Sequence, residues 1–400
     1  MPKKRSQEGS KSKKSRKRGE PKTCFDLKPE KTKPVLLDLE SFKIYGYVLP
    51  YFFAHVATKY YLNKPLENLE PDDLQIILDT FCRHKKDESE LSFIVPSNDR
   101  EFAEKCLTHK AVCTEIRKAI EERKAKPVKV YGTILPETGE YVKLMSPKLE
   151  EFKRIDNLAI APDLLALTVI GASISSIGEF GDERHYVFVD LIQEFRVDIK
   201  SLNDRSRSLV AKLIKGNSSE ITIRVGIASL VADKAFRHLS ELSELSRAVI
   251  YHVIIVGQRD IRGGNIKKVM LKSFNQYDVT SLAIDIAELN IANPLVELIE
   301  LYPSEEDEYS EARKLRRIIE ATCRAIYTWH ATRRLGGVRE GNLEELYSAL
   351  RALSVLASDH EELEKLDKFI KGTLSRERTE ELSTLSDILV KLSERMRIPI

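Results

Sequence analysis

The run AVIYHVIIV at 248–256 constrains this chain more than any other stretch of its length. It is too apolar to face water, and its β-branched density favours a strand. It leads into GQRDIRGGNIKK (257–268), and IKKVMLKSF (266–274) reads as a second strand. Two buried strands joined by a glycine-rich stretch make an antiparallel hairpin whose tip must project. That tip carries Arg259, Arg262, Lys267 and Lys268 around Gly263 and Gly264, with Asp260 its lone carboxylate. Arginine offers phosphate a planar fork and lysine a mobile point charge. Glycine lets backbone N–H groups come close to an oxygen. Lys272 extends the stripe, because Lys268, Met270 and Lys272 share a strand face at period two. The bland alternative is a solvated turn.

Around this hairpin the hydrophobic period changes twice, which divides the 400 residues into regions. Residues 35–126 are expected to be mainly helical. PDDLQIILDTFCRH opens with Pro71 and two acids, as a helix N-terminus prefers. A later helix starts at Asn98, with a seam of Phe102, Cys106, His109, Cys113, Ile116 and Ile120. Residues 127–280 are expected to form a mixed α/β domain. VKVYGTILPETGEYVKLM reads as a hairpin turning at Gly139, and IAPDLLALTVIGASISSIG (160–178) as a helix buried on all sides. RHYVFVDLI, EFRVDI and ITIRVGIASLVA read as strands. NDRSRSLVAKLIKG (203–216) reads as a helix starting at Asn203 or Asp204, and another helix is expected around 233–246. Residues 281–400, including SEARKLRRIIEATCRAIYTWHATRRL and NLEELYSALRALSVLAS, have helical period and read as an antiparallel bundle. The expected fold class is therefore mixed α+β: a helical N-terminal part, an α/β middle domain with antiparallel hairpins, and a helical bundle.

Charge is distributed unevenly. Residues 1–22 hold ten Lys/Arg against two Glu, a balance of +8 where the whole chain carries +3, so the remainder is acidic at −5. With almost no apolar side chains, residues 1–34 form a basic arm expected to be disordered and to act on polyanions. No secretory signal is evident, and the longest early apolar stretch, IYGYVLPYFFAHVA, is too short to span a membrane and is broken by Pro50. Five cysteines, an odd number, point to a reducing compartment without a disulfide framework, hence the cytoplasm. Five glutamines beside abundant Lys, Arg and Glu fit a thermophile.

Four further constellations bear on function. Arg313, Arg317 and Arg324 fall on one helix face, followed by Arg333, Arg334 and Arg339, and a row of arginines can track phosphates. Glu320 could instead pair with Arg317 or Arg324, and Trp329 is expected to pack rather than stack on a base. Cys82, His84, Cys106, His109 and Cys113 contain enough ligands for zinc, but three of them occupy an apolar seam, so no metal is expected. Pro162-Asp163 with Asp198 and Lys200 imitates the carboxylates and lysine of a metal-dependent nuclease. The bland reading has Asp163 starting a helix and Asp198 pointing outward from a strand. The aromatics Tyr45, Tyr47, Tyr51, Phe52 and Phe53 are expected in the core. No P-loop, HExxH, GxSxG or dinucleotide-binding glycine motif is present, so no cofactor is expected.

The stretches LALTVIGASISSIGEFGDERHYVFVDL and RAVIYHVIIVGQRDIRGG, with the helices after 280, resemble the large subunit of the archaeal type I-A CRISPR effector complex (Cascade) over about 35–400. That resemblance implies a non-catalytic subunit that contacts target DNA beside a short adjacent motif, within a multi-protein particle that holds a guide RNA. Cleavage would belong to separate partners, and guide pairing would supply most of the sequence specificity. The resulting expectation is a nucleic-acid-binding, non-enzymatic protein using Arg259, Arg262, Lys267, Lys268, Lys272, Arg313, Arg317, Arg324, Arg333 and Arg334, with no membrane association. The alternatives are a metal-dependent nuclease and a scaffold that holds protein partners through its helical bundle.

Overall fold

A computed structural model describes residues 24–26, 35–42, 48–84, 90–122, 127–130, 133–135, 158–192, 198–215, 220–231, 247–260, 264–303, 309–334, 359–373 and 384–396. Residues 1–23, the hairpin expected after Pro127 beyond its first strand, the helix expected around 233–246 and the segment NLEELYSALRALSVLAS lie outside the described residues.

Two helices form the centre. Helix α1 (Leu49–Leu62) is buried from Leu49 to Tyr60. Its sequence LPYFFAHVATKYYL leaves no polar stripe wide enough to face water, so it must be covered all round. Helix α6 (Pro162–Ser175), with eleven of its fourteen residues buried, packs along α1. The two run in the same direction, Thr168 beside Pro50 and Gly171 beside Phe53. They touch through backbone: a Cβ placed on Gly171 would lie 1.8 Å from the Phe53 carbonyl oxygen. The buried helix expected over 160–178 is present, but it stops at Ser175 and the chain continues as a strand.

Helix α1 also meets a four-stranded antiparallel sheet ordered β4 (Ser176–Phe180), β5 (Glu183–Ile192), β6 (Arg247–Arg259), β7 (Ile266–Asp278). Phe52 meets Tyr251 and Phe274 edge-on, and Phe53 meets Tyr186. Tyr51, Phe52 and Phe53 are core residues, as expected, whereas Tyr45 and Tyr47 are outside the described residues. A smaller sheet joins β1 (Val35–Leu37) in parallel, and β2 (Val128–Lys129) antiparallel, to the central β3 (Leu158–Ile160).

The N-terminal helical region begins with α2 (Pro71–Arg83), where Glu70 and Asp73 form a reciprocal capping box. The helix expected from Asn98 is broken. Helix α3 (Arg100–Cys106) stops, Thr108 caps a new start at α4 (His109–Ala111), and a π turn (Val112–Ile116) leads into α5 (Arg117–Glu122). Thr108 pairs with Leu91 in an isolated bridge at the break.

Disulfides correct the expectation of free thiols. Cys24 is bonded to Cys106 and Cys82 to Cys113, while Cys323 is free and buried. The cysteines lie 82 and 31 residues apart on different elements, and spacing alone does not disclose such a pairing. Cys24 lies inside the stretch expected to be disordered. It is nevertheless buried, and its backbone N–H donates to Glu115.

The segment ITIRVGIASLVA is also different. It forms α8 (Glu220–Val231), not a strand. Its β-branched residues favour a strand locally, but Ile223, Val225, Ile227 and Ala228 are all buried among helices, and that packing decides. Helix α7 (Ile199–Lys215) comes within contact because Gly226 admits Leu213 against the helix backbone. Helix α8 also contacts α9 (Thr280–Glu288), α10 (Ala292–Glu300) and α11 (Ser310–Arg334). Arg224 seals this junction, its guanidinium 4.0 Å from the Tyr277 ring centre and hydrogen-bonded to Tyr327. Helices α12 (His360–Thr373) and α13 (Leu385–Met396) complete the C-terminal part, α12 against α11 and α13 against α10. The whole is mixed α+β with one continuous core, so the boundary near 280 is a change of element type and not a gap in packing.

Gly171→Ala tests the central contact. It is expected to lower unfolding free energy by about 3 kcal/mol, the upper end of overpacking costs, because the clash is with backbone and not a movable side chain. Urea denaturation followed by circular dichroism measures it.

Candidate nucleic-acid interface

The antiparallel β6–β7 ribbon carries the expected basic tip at its turn. Asp260 closes the loop by accepting from Gly264 N–H at 3.2 Å, while Asp260 N–H donates to Asn265 O at 2.9 Å. The single acid of the tip therefore serves the turn. The register slips twice along the ribbon: Ile254 faces Ser273 while Ile255 faces Leu271, and Gln258 faces Lys268 while Arg259 faces Ile266. The residues left over are Lys272 and Lys267. Each occupies the extra position of a β-bulge, where a side chain is turned away from the regular pleat. Lys267, Lys268 and Lys272 are all exposed.

Acids from the neighbouring β4–β5 turn also reach this region, which the local sequence of the tip did not disclose. Arg259 Nε donates to Asp182 at 2.6 Å, and Lys272 is ion-paired with Glu183. Asp182 O further accepts from Gly257 N–H, which locks the two turns together. Arg259 engages Asp182 through Nε, which orients the guanidinium, and its two terminal amino groups have no hydrogen bond among the described residues. Lys267 has no ion-pair partner among the described residues. Arg262 lies outside them.

The second set sits apart. Arg313, Arg317 and Arg324 are exposed on α11 while Leu315, Ile318 and Ile326 are buried, as the helical period requires. Glu320 does not pair with Arg317 or Arg324 here; it accepts from the Tyr302 hydroxyl at 3.0 Å. Trp329 packs against the core. Arg333 and Arg334 end the helix, their side chains outside the described residues, as is Arg339. Helix α11 meets the ribbon at its base, through Arg224 between Tyr277 and Tyr327. Tyr277 and Ile266 lie eleven positions apart along the strand, roughly 35 Å at the usual rise, so the tip and the arginine row are two patches and not one.

The other candidate sites are not assembled. Cys82, Cys106 and Cys113 are taken up in disulfides, His84 ends α2, and no metal-holding cluster occurs among the described residues. Asp198 is not on a strand. It caps α7, accepting from the backbone of Lys200 and Ser201 and from the Ser201 hydroxyl, and these bonds hold its carboxyl below the ordinary range. EFRV ahead of it is outside the described residues, and Asn203 lies inside α7 instead of at its start. Asp163 starts α6, and burial raises its carboxyl. Asp163 and Asp198 lie toward opposite ends of the α1–α6 pair, with Lys200 over the Tyr60 ring near the far end of α1.

A buried polar array lies behind the sheet, and sequence reading missed it. Beyond Tyr186, β5 has no β4 partner, which leaves a strand edge inside the protein. Asn203 of α7 fills the gap: its side chain accepts from Val189 N–H at 2.7 Å and donates to Val189 O at 3.0 Å. Lys59 of α1 donates to Leu191 O at 3.1 Å and pairs with Asp190, which His55 Nε2 meets at 2.9 Å. Burial pushes Asp190 up, but His55 and Lys59 outweigh it and hold the carboxyl below its ordinary value. His55 and Lys59, polar residues one turn apart within an apolar helix, were the available signal. On β5 and β6, His185 Nδ1 and His252 Nε2 are 3.1 Å apart. Burial lowers both rings, His252 to about 3, with the neighbouring His185 adding to the effect.

These histidines make stability depend on pH. Their folded values lie below the unfolded value of 6.5, so the unfolded chain takes up protons first as pH falls. Their contribution is complete above pH 6.5 and is lost below it, at roughly 1.4 kcal/mol per pH unit for His252 down to about 3. Urea midpoints between pH 6.5 and 5 are expected to fall, and His252→Gln is expected to flatten that slope.

No helix among the described residues is long and apolar enough to cross a membrane. In comparisons with known proteins, no family model, curated protein or solved structure matches this chain.

Proposed function

We propose that the protein is a non-catalytic nucleic-acid-binding subunit of a ribonucleoprotein effector particle, and that the tip of the β6–β7 ribbon grips the phosphate backbone. The observation that carries this reading is the placement of Lys267 and Lys272 at two bulges beside exposed Lys268, with Asp260 consumed by the turn. Side chains at bulges leave the sheet plane and gain reach toward a ligand. Asp182 holds Arg259 in one orientation, which reduces the entropy lost when its free amino groups meet a phosphate. The basic arm supplies further, unspecific attraction. Arg313, Arg317 and Arg324, exposed along α11 and apart from the tip, extend the contact along a duplex instead of converging on one phosphate.

The resemblance to the type I-A Cascade large subunit agrees with this reading and supplies its biological setting: target DNA, a guide RNA, other protein subunits, and the cytoplasm of an archaeal thermophile. Two disulfides are compatible with that setting, because hyperthermophile proteins keep such bonds inside the cell.

Lys267→Ala with Lys268→Ala is expected to weaken binding of a labelled DNA duplex at least tenfold at moderate salt. It should reduce the slope of log affinity against log salt by about 2. Asp182→Asn with Glu183→Gln, which removes two negative charges beside the tip, is expected to strengthen binding, because the repulsion relieved outweighs the lost orientation of Arg259. Fluorescence polarisation across a salt series reads both, and unchanged affinity and slope in both variants overturns the proposal.

A further inference from the structure

The two disulfides differ in their surroundings. Cys24 and Cys106 are both sealed in the core. Cys82, in the last turn of α2, and Cys113, in the π turn, are only half-buried. His109 stands beside the second bond, one turn before Cys113, with both ring nitrogens 3.9 Å from Cys113 Sγ. Phe81 packs on the imidazole at a ring-centre distance of 4.6 Å, and His109 Nε2 lies 3.3 Å from Phe81 O. A carbonyl only accepts, so in the neutral ring Nε2 carries the hydrogen and Nδ1 is the nitrogen left to take up a proton. His109 also lines a polar cavity of about 360 Å³ whose wall includes Ser92, Ser173, Arg184 and Arg207.

We infer that Cys82–Cys113 is a thiol–disulfide exchange site, with His109 as acid and base for Cys113 and a reduced dithiol as its co-substrate. The geometry sets the direction of attack. A disulfide opens faster when the departing sulfur is the better-stabilised thiolate, and an imidazolium beside Cys113 makes it that sulfur. The donor's first thiolate attacks Cys82 Sγ, forming a mixed disulfide. The Cys82–Cys113 bond breaks with its electron pair on Cys113, and the proton lost by the donor resides on His109 Nδ1 facing that thiolate. The donor's second thiolate attacks its own sulfur in the mixed disulfide, closes the donor's ring and releases Cys82, which takes the second proton. Two electrons and two protons pass from donor to chain. Cys24–Cys106, with no histidine contact of this kind and no exposed sulfur, remains as a structural bond. This inference is independent of the nucleic-acid reading.

The test uses the full-length oxidised chain and dithiothreitol as the dithiol. Samples are quenched by alkylation at intervals and mapped by peptide mass spectrometry. Cys82 and Cys113 are expected to be labelled about tenfold faster than Cys24 and Cys106. In the reduced chain, iodoacetamide is expected to modify Cys113 about tenfold faster than Cys82, and His109→Gln to remove that difference with the circular dichroism spectrum unchanged. Opening of Cys24–Cys106 first or simultaneously, a purified oxidised chain without the Cys82–Cys113 bond, or equal Cys113 rates in parent and variant each overturns the proposal. If His109→Gln fails to fold, the order of opening in the parent chain decides.

Discussion

The approach of α6 to α1 at Gly171 governs the arrangement of the rest. Once the Phe53 carbonyl occupies the space where a side chain would stand, α1 cannot lean away from α6 without leaving a void. Its remaining surface is then free to accept the sheet, and Phe52 and Phe53 supply that contact through Tyr251, Phe274 and Tyr186. A helix enclosed on two sides in this way needs almost no polar face, which is why LPYFFAHVATKYYL is tolerated in a protein with 32% charged residues.

Enclosing α1 creates a second requirement. The part of β5 that outruns β4 has backbone groups pointing at protein instead of water, and an unpaired buried amide or carbonyl is costly. Asn203 imitates a strand at Val189, and Lys59 reaches Leu191 O. A lysine at that depth demands a counter-charge, which Asp190 provides, and Asp190 in turn takes His55. The polar array is thus a consequence of strand length mismatch, with each member made necessary by the one before it.

What the sequence discloses follows the range of the interactions involved. Helices with a clean 3.6 period and a terminal signal, such as 71–83 and 310–334, are legible because their determinants lie within a few residues. The β6–β7 hairpin is legible for the same reason. Helix α8 is not, because Ile221, Thr222, Ile223, Val225 and Ile227 favour a strand until four helices surround them. The disulfides join segments distant in the chain, and Asp198 exchanged a strand for a helix cap at a boundary that no turn residue marks. At the candidate interface the cations were legible, but Asp182 and Glu183 come from a turn more than seventy residues away.

Those two acids change the electrostatic argument without cancelling it. An exposed ion pair contributes little to stability, about 0–1 kcal/mol, so Asp182 and Glu183 are not needed to hold the sheet together. Their effect is on freedom: Arg259 and Lys272 lose rotamers before any ligand arrives, whereas Lys267 keeps its own. A polyanion approaching the tip would therefore meet one oriented fork, one tethered ammonium and the exposed Lys267 and Lys268 beside them. The acids also lower the net positive charge at the tip, so on the proposed reading affinity depends on several phosphates bound at once. A chain of regularly spaced phosphates meets that condition, and an isolated phosphate does not.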